Sequence, residues 1–225
     1  MDERERVNRI LARLDENYGT ECICYLDYGA PWQLLIAAVL SVQCKEERVN
    51  RVTARLFDRY PSVEALARAD AGDVEREVYT LGFYRNKARH IIACAGILEK
   101  KYGGQVPCTW RELTALPGVG RKTVNLIRGY IYGEPGIVVD GHVRRVSKML
   151  GFTEEDDPEL VEYDLMQALP KDRWLCYGTQ MIKHGRSLCP EKNPLCGQCF
   201  LNELCLKGDC YWYKKYEEQE GGELL

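Results

Sequence analysis

Apolar residues recur at helical spacing through most of this chain. Val7, Ile10, Leu11 and Leu14 make one amphipathic face across Glu3–Tyr18, and Gly19 follows as a stop signal. After Pro31 the nearly unbroken apolar run Trp32 to Val42 predicts a helix buried on all sides. Val49, Val52, Leu56 and Tyr60 then predict an amphipathic one, ended by Pro61. Ser62 is placed to cap a short helix carrying Ala65 and Leu66. Further helices are expected over 73–79 and 85–102, with the turn Leu81-Gly82-Phe83 between them and Gly103-Gly104 closing the second. The pattern continues over 142–150, 158–169 and 172–184. Only Gly136-Ile-Val-Val reads as extended, too short and isolated to found a sheet. The expected fold is all-α with short connections, and 225 residues suggest two lobes.

Hydrophobic residues at 45% and charged residues at 29% exclude a disordered, collagen-like or coiled-coil chain. The longest apolar run, Leu34 to Val42, is too short to cross a bilayer, and the start Met1-Asp-Glu-Arg-Glu-Arg is charged and unlike a secretion signal. A cytoplasmic, nucleoid-associated monomer with no membrane partner is the expectation. The net charge of -3 argues against nonspecific coating of nucleic acid, while leaving room for a local basic face. The acidic stretch Glu217 to Glu223 lies in a tail, 211–225, expected to be frayed. Eleven cysteines in a chain read as intracellular point to metal binding where they cluster, since the cytosol keeps thiols reduced.

They cluster once. Cys189, Cys196, Cys199 and Cys205 follow C-x6-C-x2-C-x5-C in a loop containing Pro190, Pro194 and Gly197. A zinc site usually presents two separated close pairs, whereas here only Cys196 and Cys199 are close. Four thiolates from one short irregular loop better suit a [4Fe-4S] cluster, with zinc the alternative. The remaining cysteines, Cys22, Cys24, Cys44, Cys94, Cys108, Cys176 and Cys210, are scattered and read as core or incidental.

A second constellation begins at Leu116-Pro117-Gly118-Val119-Gly120, a hairpin joining two helical patterns. Gly118 and Gly120 permit a sharp turn and expose amide N–H groups at a helix start, where a DNA phosphate would be bound without sequence being read. Shape alone also explains glycines in such a turn. Across the same stretch Arg111, Arg121, Lys122, Arg128, Arg144, Arg145 and Lys148 outnumber Glu112, Glu134 and Asp140, a local positive balance. Lys122 stands beside Arg121 near the positive end of the helix dipole, which disfavours its ammonium form and suits a Schiff-base nucleophile. Asp140 precedes another helix, where it is an ordinary N-cap. It could also stabilise positive charge developing at a sugar C1′, and the two roles are compatible.

Leu116-Pro-Gly-Val-Gly-Arg-Lys-Thr, Val139-Asp140-Gly-His and the four-cysteine loop resemble the endonuclease III family of helix-hairpin-helix (HhH-GPD) DNA glycosylases. The resemblance runs from about Val7 to Cys205 and includes Pro31-Trp-Gln-Leu-Leu-Ile, Leu40-Ser-Val-Gln43 and Leu81-Gly-Phe-Tyr. It implies a six-helix domain over 23–133 and an iron-sulfur cluster domain formed by 1–22 with 134–225. Double-stranded DNA carrying a damaged base or abasic site is the implied partner. The damaged nucleotide is flipped out, Gln43 fills the gap and Leu81 wedges the opposite strand. Lys122 is implied to attack C1′ and cleave the strand by β-elimination, with Asp140 as the catalytic carboxylate. Gly118, Val119, Gly120, Arg121, His142, Arg145 and Lys192 are the implied DNA contacts. The cluster held by Cys189, Cys196, Cys199 and Cys205 is implied to be structural.

Two departures bear on substrate. Cys44-Lys45-Glu46 follows Gln43 where the family commonly has a small residue, threonine and aspartate, and Gly141 replaces a usual threonine. Gly141 is similar to the adenine-excising branch, but that branch lacks the lysine and carries a glutamate where this chain has Ala37-Ala38-Val39-Leu40, so adenine excision is not expected. The implied enzyme is a bifunctional N-glycosylase and abasic-site lyase on oxidised pyrimidines. The alternatives are the same scaffold acting on an alkylated, mismatched or crosslinked base, or an iron-sulfur DNA-binding module without chemistry.

Overall fold

The computed structural model describes residues 1–207; Cys210 and the acidic tail lie outside the described residues. Among the described residues there are helices and no strand, and no helix is long and apolar enough to cross a membrane. In chain order the helices are α1 (Glu3–Tyr18), α2 (Pro31–Leu40), α3 (Glu46–Arg59), α4 (Val63–Ala67), α5 (Ala71–Val78), α6 (Tyr84–Tyr102), α7 (Trp110–Thr114), α8 (Arg121–Tyr132), α9 (Gly141–Leu150), α10 (Pro158–Ala168) and α11 (Trp174–Ser187). They form two compact units, one from Cys24–Gly136 and one from Met1–Ile23 with the chain from Ile137 onward.

In the first unit α2 is the central element. Every residue from Leu34 to Leu40 is buried, which is what an apolar run without a polar face requires, and α3, α6 and α8 pack on it. α4 and α5 pack on α6. The short helices depend on caps: the Ser62 hydroxyl accepts from the Ala65 amide at 3.2 Å, Asp70 from Asp73 at 3.0 Å and Thr109 from Glu112 at 3.3 Å. Each such bond satisfies an amide that the first helical turn leaves without a partner, and is worth about 1 kcal/mol.

In the second unit Ile10 and Leu14 of α1 share a core with Ile137, Val143, Val161, Leu165, Tyr177, Met181 and Leu201. Two arginines of α1 hold the chain that follows α11. Arg6, itself buried, donates to the carbonyls of Leu150 at 2.7 Å and Leu204 at 3.0 Å, and Arg13 donates to the Phe200 carbonyl. The irregular stretch after α1 is tied to α11 by side chains. Lys183 Nζ donates to the Tyr18 carbonyl at 2.8 Å, Gln180 Nε2 to Gly19 at 2.8 Å, Cys176 Sγ to Thr20 at 3.1 Å and Thr179 Oγ1 to Ile23 at 3.2 Å. These bonds give Cys176, expected as core or incidental, a definite partner.

Candidate functional site

The hairpin between α7 and α8 is anchored by burial of Leu116 and Val119, so at Val119 the backbone and not the side chain is available to a ligand. Its two glycines differ. Gly118 has φ +77°, and a Cβ there would lie 2.8 Å from Val39 Cγ1 and 3.0 Å from His90 Nδ1, so conformation and packing both require glycine. Gly120 is extended, at φ -105° and ψ 179°, and a Cβ on it would meet nothing within 4 Å. Nothing inside the protein demands glycine there. Gly120 is the N-cap of α8 and supplies no side-chain bond to the first-turn amides. Lys122 is exposed in that first turn, and Arg121 lies over the Trp110 ring at 5.0 Å.

Part of the positive balance is paired within the protein. Arg128 pairs with Glu134 at 3.5 Å and Lys148 with Asp156 at 2.9 Å, while Arg144 donates to the Asp156 carbonyl at 3.2 Å. Lys122 and Arg111 remain exposed.

Among the described residues, three that are not glycine have positive φ: Gln43 at 54°, Phe83 at 47° and Asn193 at 54°. Such conformations cost energy and concentrate at functional positions. Gln43 is exposed in the turn after α2. Leu81 does not suit the wedge role, because its side chain is 3% exposed and belongs to the core, in the turn Tyr79–Leu81. Two residues on, Phe83 is 69% exposed. The exposed Tyr79 ring sits 4.9 Å from that of Tyr84, and Arg85 lies over Tyr84 at 5.1 Å. The turn is held from beneath by Lys87, whose buried Nζ donates to the Leu81 carbonyl at 2.9 Å; burial pushes this ammonium below its ordinary range. Phe83 was missed by sequence reasoning, although an aromatic residue directly after Gly82 in a turn was the available signal.

In the other unit Asp140 caps α9: its Oδ1 accepts from the Val143 amide at 2.8 Å, which occupies one of the two carboxylate oxygens. His142 packs on α11, where a Cβ at Gly185 would lie 2.5 Å from His142 Nδ1. Arg145 donates to the Gly185 carbonyl and to Cys189 Sγ, both at 3.4 Å, so its guanidinium faces the cysteine loop. Lys192 is exposed in that loop, next to the exposed Glu191.

Cys189, Cys196, Cys199 and Cys205 line one cavity together with Val146, Met149, Leu150, His184, Leu188, Pro194, Leu201 and Asn202. Among the described residues no group of three or more His, Cys, Asp or Glu side chains is placed to hold a metal ion. One zinc would need its sulfurs about 2.3 Å from a single point, whereas four thiols spread around an apolar cavity suit a wider group. The cavity also supplies donors to sulfur. The Leu201 amide lies 3.4 Å from Cys199 Sγ, and His184 Nε2 lies 3.6 Å from the same atom. His184 is 2% exposed, and burial, with the Arg145 charge adding to it, pushes its imidazole down to about 4. Cys205 Sγ donates to the Met149 carbonyl at 3.1 Å.

Comparison with known proteins accounts for nearly the whole chain. Residues 36–171 match the family profile described as HhH-GPD superfamily base excision DNA repair protein. Endonuclease III of Synechocystis is 44% identical over 204 residues, covering 90% of this chain and 92% of that protein. The Escherichia coli K12 protein of the same name is 36% identical over 196 residues, covering 87% and 92%. A solved structure of a trapped endonuclease III–DNA covalent intermediate, an estranged-adenine complex, superposes with a TM-score of 0.87 at 38% identity, covering 96% of this chain and all of that one. The all-helical fold, the hairpin ahead of Lys122, the four-cysteine cavity and these similarities lead to one assignment: the chain belongs to the endonuclease III family of the HhH-GPD superfamily of base excision DNA repair proteins.

Proposed function

We propose that this chain is a bifunctional DNA N-glycosylase and abasic-site lyase that removes oxidised pyrimidines from duplex DNA, acting as a monomer in the cytoplasm. The observation that carries the reading is Lys122, an exposed amine in the first turn of a helix whose start has no side-chain cap. A helix start without a side-chain cap suits a phosphate, and an amine beside it suits attack at the adjoining sugar. Lys122 Nζ bonds to C1′ as the base departs with the glycosidic electron pair. Nζ gives up a proton and its lone pair breaks the C1′–O4′ bond, O4′ taking up a proton as the sugar ring opens to an iminium; this acidifies C2′, and loss of the C2′ proton expels the 3′ phosphate with its bonding electron pair. Asp140, with one carboxylate oxygen in its cap, stabilises the positive charge that develops on the sugar.

Gln43 fills the space left by the flipped nucleotide. The wedge role passes from Leu81 to Phe83, whose exposed ring can stack on a base where the buried Leu81 side chain cannot reach one. The Gly118 to Gly120 backbone, Arg121 and Lys192 contact phosphate. His142 and Arg145, both half-buried, join α9 to α11 and the cysteine loop. Cys189, Cys196, Cys199 and Cys205 hold a [4Fe-4S] cluster, supported by the apolar cavity they line and its donors to sulfur.

Borohydride trapping on a duplex with one defined oxidised pyrimidine tests the chemistry. The wild type is expected to become covalently attached and Lys122→Gln to lose attachment completely while still binding the lesion. Asp140→Asn should slow base release strongly with at most about 1 kcal/mol of lost stability, since asparagine also caps. Trapping that survives in Lys122→Gln would move the nucleophile elsewhere, and no trapping in the wild type would leave the non-catalytic module. A panel of oxidised, alkylated, mismatched and crosslinked duplexes tests the lesion class.

A further inference from the structure

Behind the cysteine cavity a line of polar groups runs from Cys199 to the protein surface. His184 Nε2 lies 3.6 Å from Cys199 Sγ, and His184 Nδ1 lies 3.1 Å from the Tyr18 hydroxyl. That hydroxyl is 3.1 Å from Ser187 Oγ, which is exposed. Three rings hold the line in place. Tyr18 and His184 each meet Phe200 edge-on with centroids 5.4 Å apart, and Tyr18 meets His184 at 5.9 Å. Nothing in glycosylase chemistry at Lys122 uses these residues.

The Tyr18 hydroxyl can donate to Nδ1, and a ring that accepts at one nitrogen carries its N–H on the other, so each neighbour decides what the other can do. A cysteine sulfur bound to iron is a thiolate and has no proton to give. Nε2 must then be the donor toward Cys199, and Nδ1 the acceptor from the Tyr18 hydroxyl. The Leu201 amide, 3.4 Å from the same sulfur, is a second donor. Hydrogen bonds to cluster sulfurs draw off negative charge, favour the more reduced cluster and raise its reduction potential. The geometry points to His184 as a positioning residue that donates a hydrogen bond to the Cys199 thiolate and raises the reduction potential of the cluster, with Tyr18 selecting the donating tautomer. This inference rests on the iron-sulfur reading above.

The test is electrochemical, on purified full-length protein, with the electrode supplying the electron. Visible absorbance first establishes that each protein carries its cluster. His184→Leu removes the donor at similar volume and is expected to shift the potential negative, while His184→Gln, which keeps an N–H, shifts it less. Tyr18→Phe keeps the ring against His184 and Phe200 but removes the hydroxyl that fixes the tautomer, and is expected to give a smaller negative shift. Should His184→Leu fail to fold or load, Tyr18→Phe decides the question. Unchanged potentials in loaded His184→Leu and Tyr18→Phe would overturn the inference, as would a glutamine variant shifted as far as the leucine one. A wild-type protein with no iron-sulfur absorbance overturns the cluster reading itself, and this inference with it.

Discussion

The hairpin at 116–120 and the cysteine loop at 189–205 are both irregular segments next to a helix, and they are held by different means. The hairpin is ordered by apolar packing inside its own unit: Leu116 and Val119 are buried, and Gly118 fits a space bounded by Val39 and His90. In the cysteine loop only Leu201 and Leu204 are buried. The rest is shaped by two short turns, Cys196–Gln198 and Asn202–Leu204, by the Leu195 amide bonded to the Leu188 carbonyl at 2.8 Å, and by the α1 arginines. A segment with so little buried apolar surface relies on whatever its four thiols bind. On the function proposed above, chemistry falls on the self-sufficient segment, and a group bound by the thiols would stabilise the other.

Removal of iron should separate the two segments most clearly and have the largest effect. Binding energy at a site absent from the unfolded chain is folding energy, about 10 kcal/mol or more in small zinc domains. Oxidation with an iron chelator, or Cys199→Ser, is expected to bleach the visible absorbance and raise amide exchange across 189–205. Exchange in α8 should stay slow; equal loss of protection in both places would break the contrast.

Next come two substitutions that test packing in the unit carrying the hairpin. Gly118→Ala forces a left-handed alanine, about 1–2 kcal/mol, and crowds Val39 and His90, about 1–3 kcal/mol more. Leu81→Ala opens a core cavity and should cost about 2–5 kcal/mol. Denaturant unfolding measures both, and a neutral result for either would mean that the position is not packed as described.

Phe83→Ala is the counterpart to Leu81→Ala. Stability should change by less than about 0.5 kcal/mol, whereas affinity for a lesion duplex falls by about 1–3 kcal/mol, the value of one stacked base. Gly120→Ala should cost about 0.5–1 kcal/mol through a poorer cap and weaken binding to all duplexes alike. Unaltered affinity would make the hairpin a turn and nothing more.

Much of this was legible in the chain. The helices follow from apolar spacing, and the breaks at Gly19 and Pro61 fall where the helices end. Asp140 was readable as a cap because an aspartate before a helical pattern does that work locally, and the structure has it doing so. Leu81 was misplaced because a leucine in a turn beside glycine is compatible with either face, and which face is buried depends on α6 and the Lys87 amine beneath. The count of charges already set Glu134 against the basic residues, but it could not see that Lys148 pairs with Asp156 outside the counted stretch.

Sequence by itself determined what depends on near neighbours: helical periodicity, caps, the turn chemistry of Gly118, the cysteine spacing, and the presence of a lysine two residues after a glycine hairpin. Tertiary structure decided what depends on residues far apart in the chain. It gave Gly118 a packing reason and Gly120 none, buried Leu81 and exposed Phe83, and turned Arg145 toward Cys189. It also brought Tyr18 to His184 across 166 positions of sequence. The physical reason is that local backbone preferences act over a few residues, whereas burial and hydrogen-bond pairing are settled only when distant segments compete for the same space.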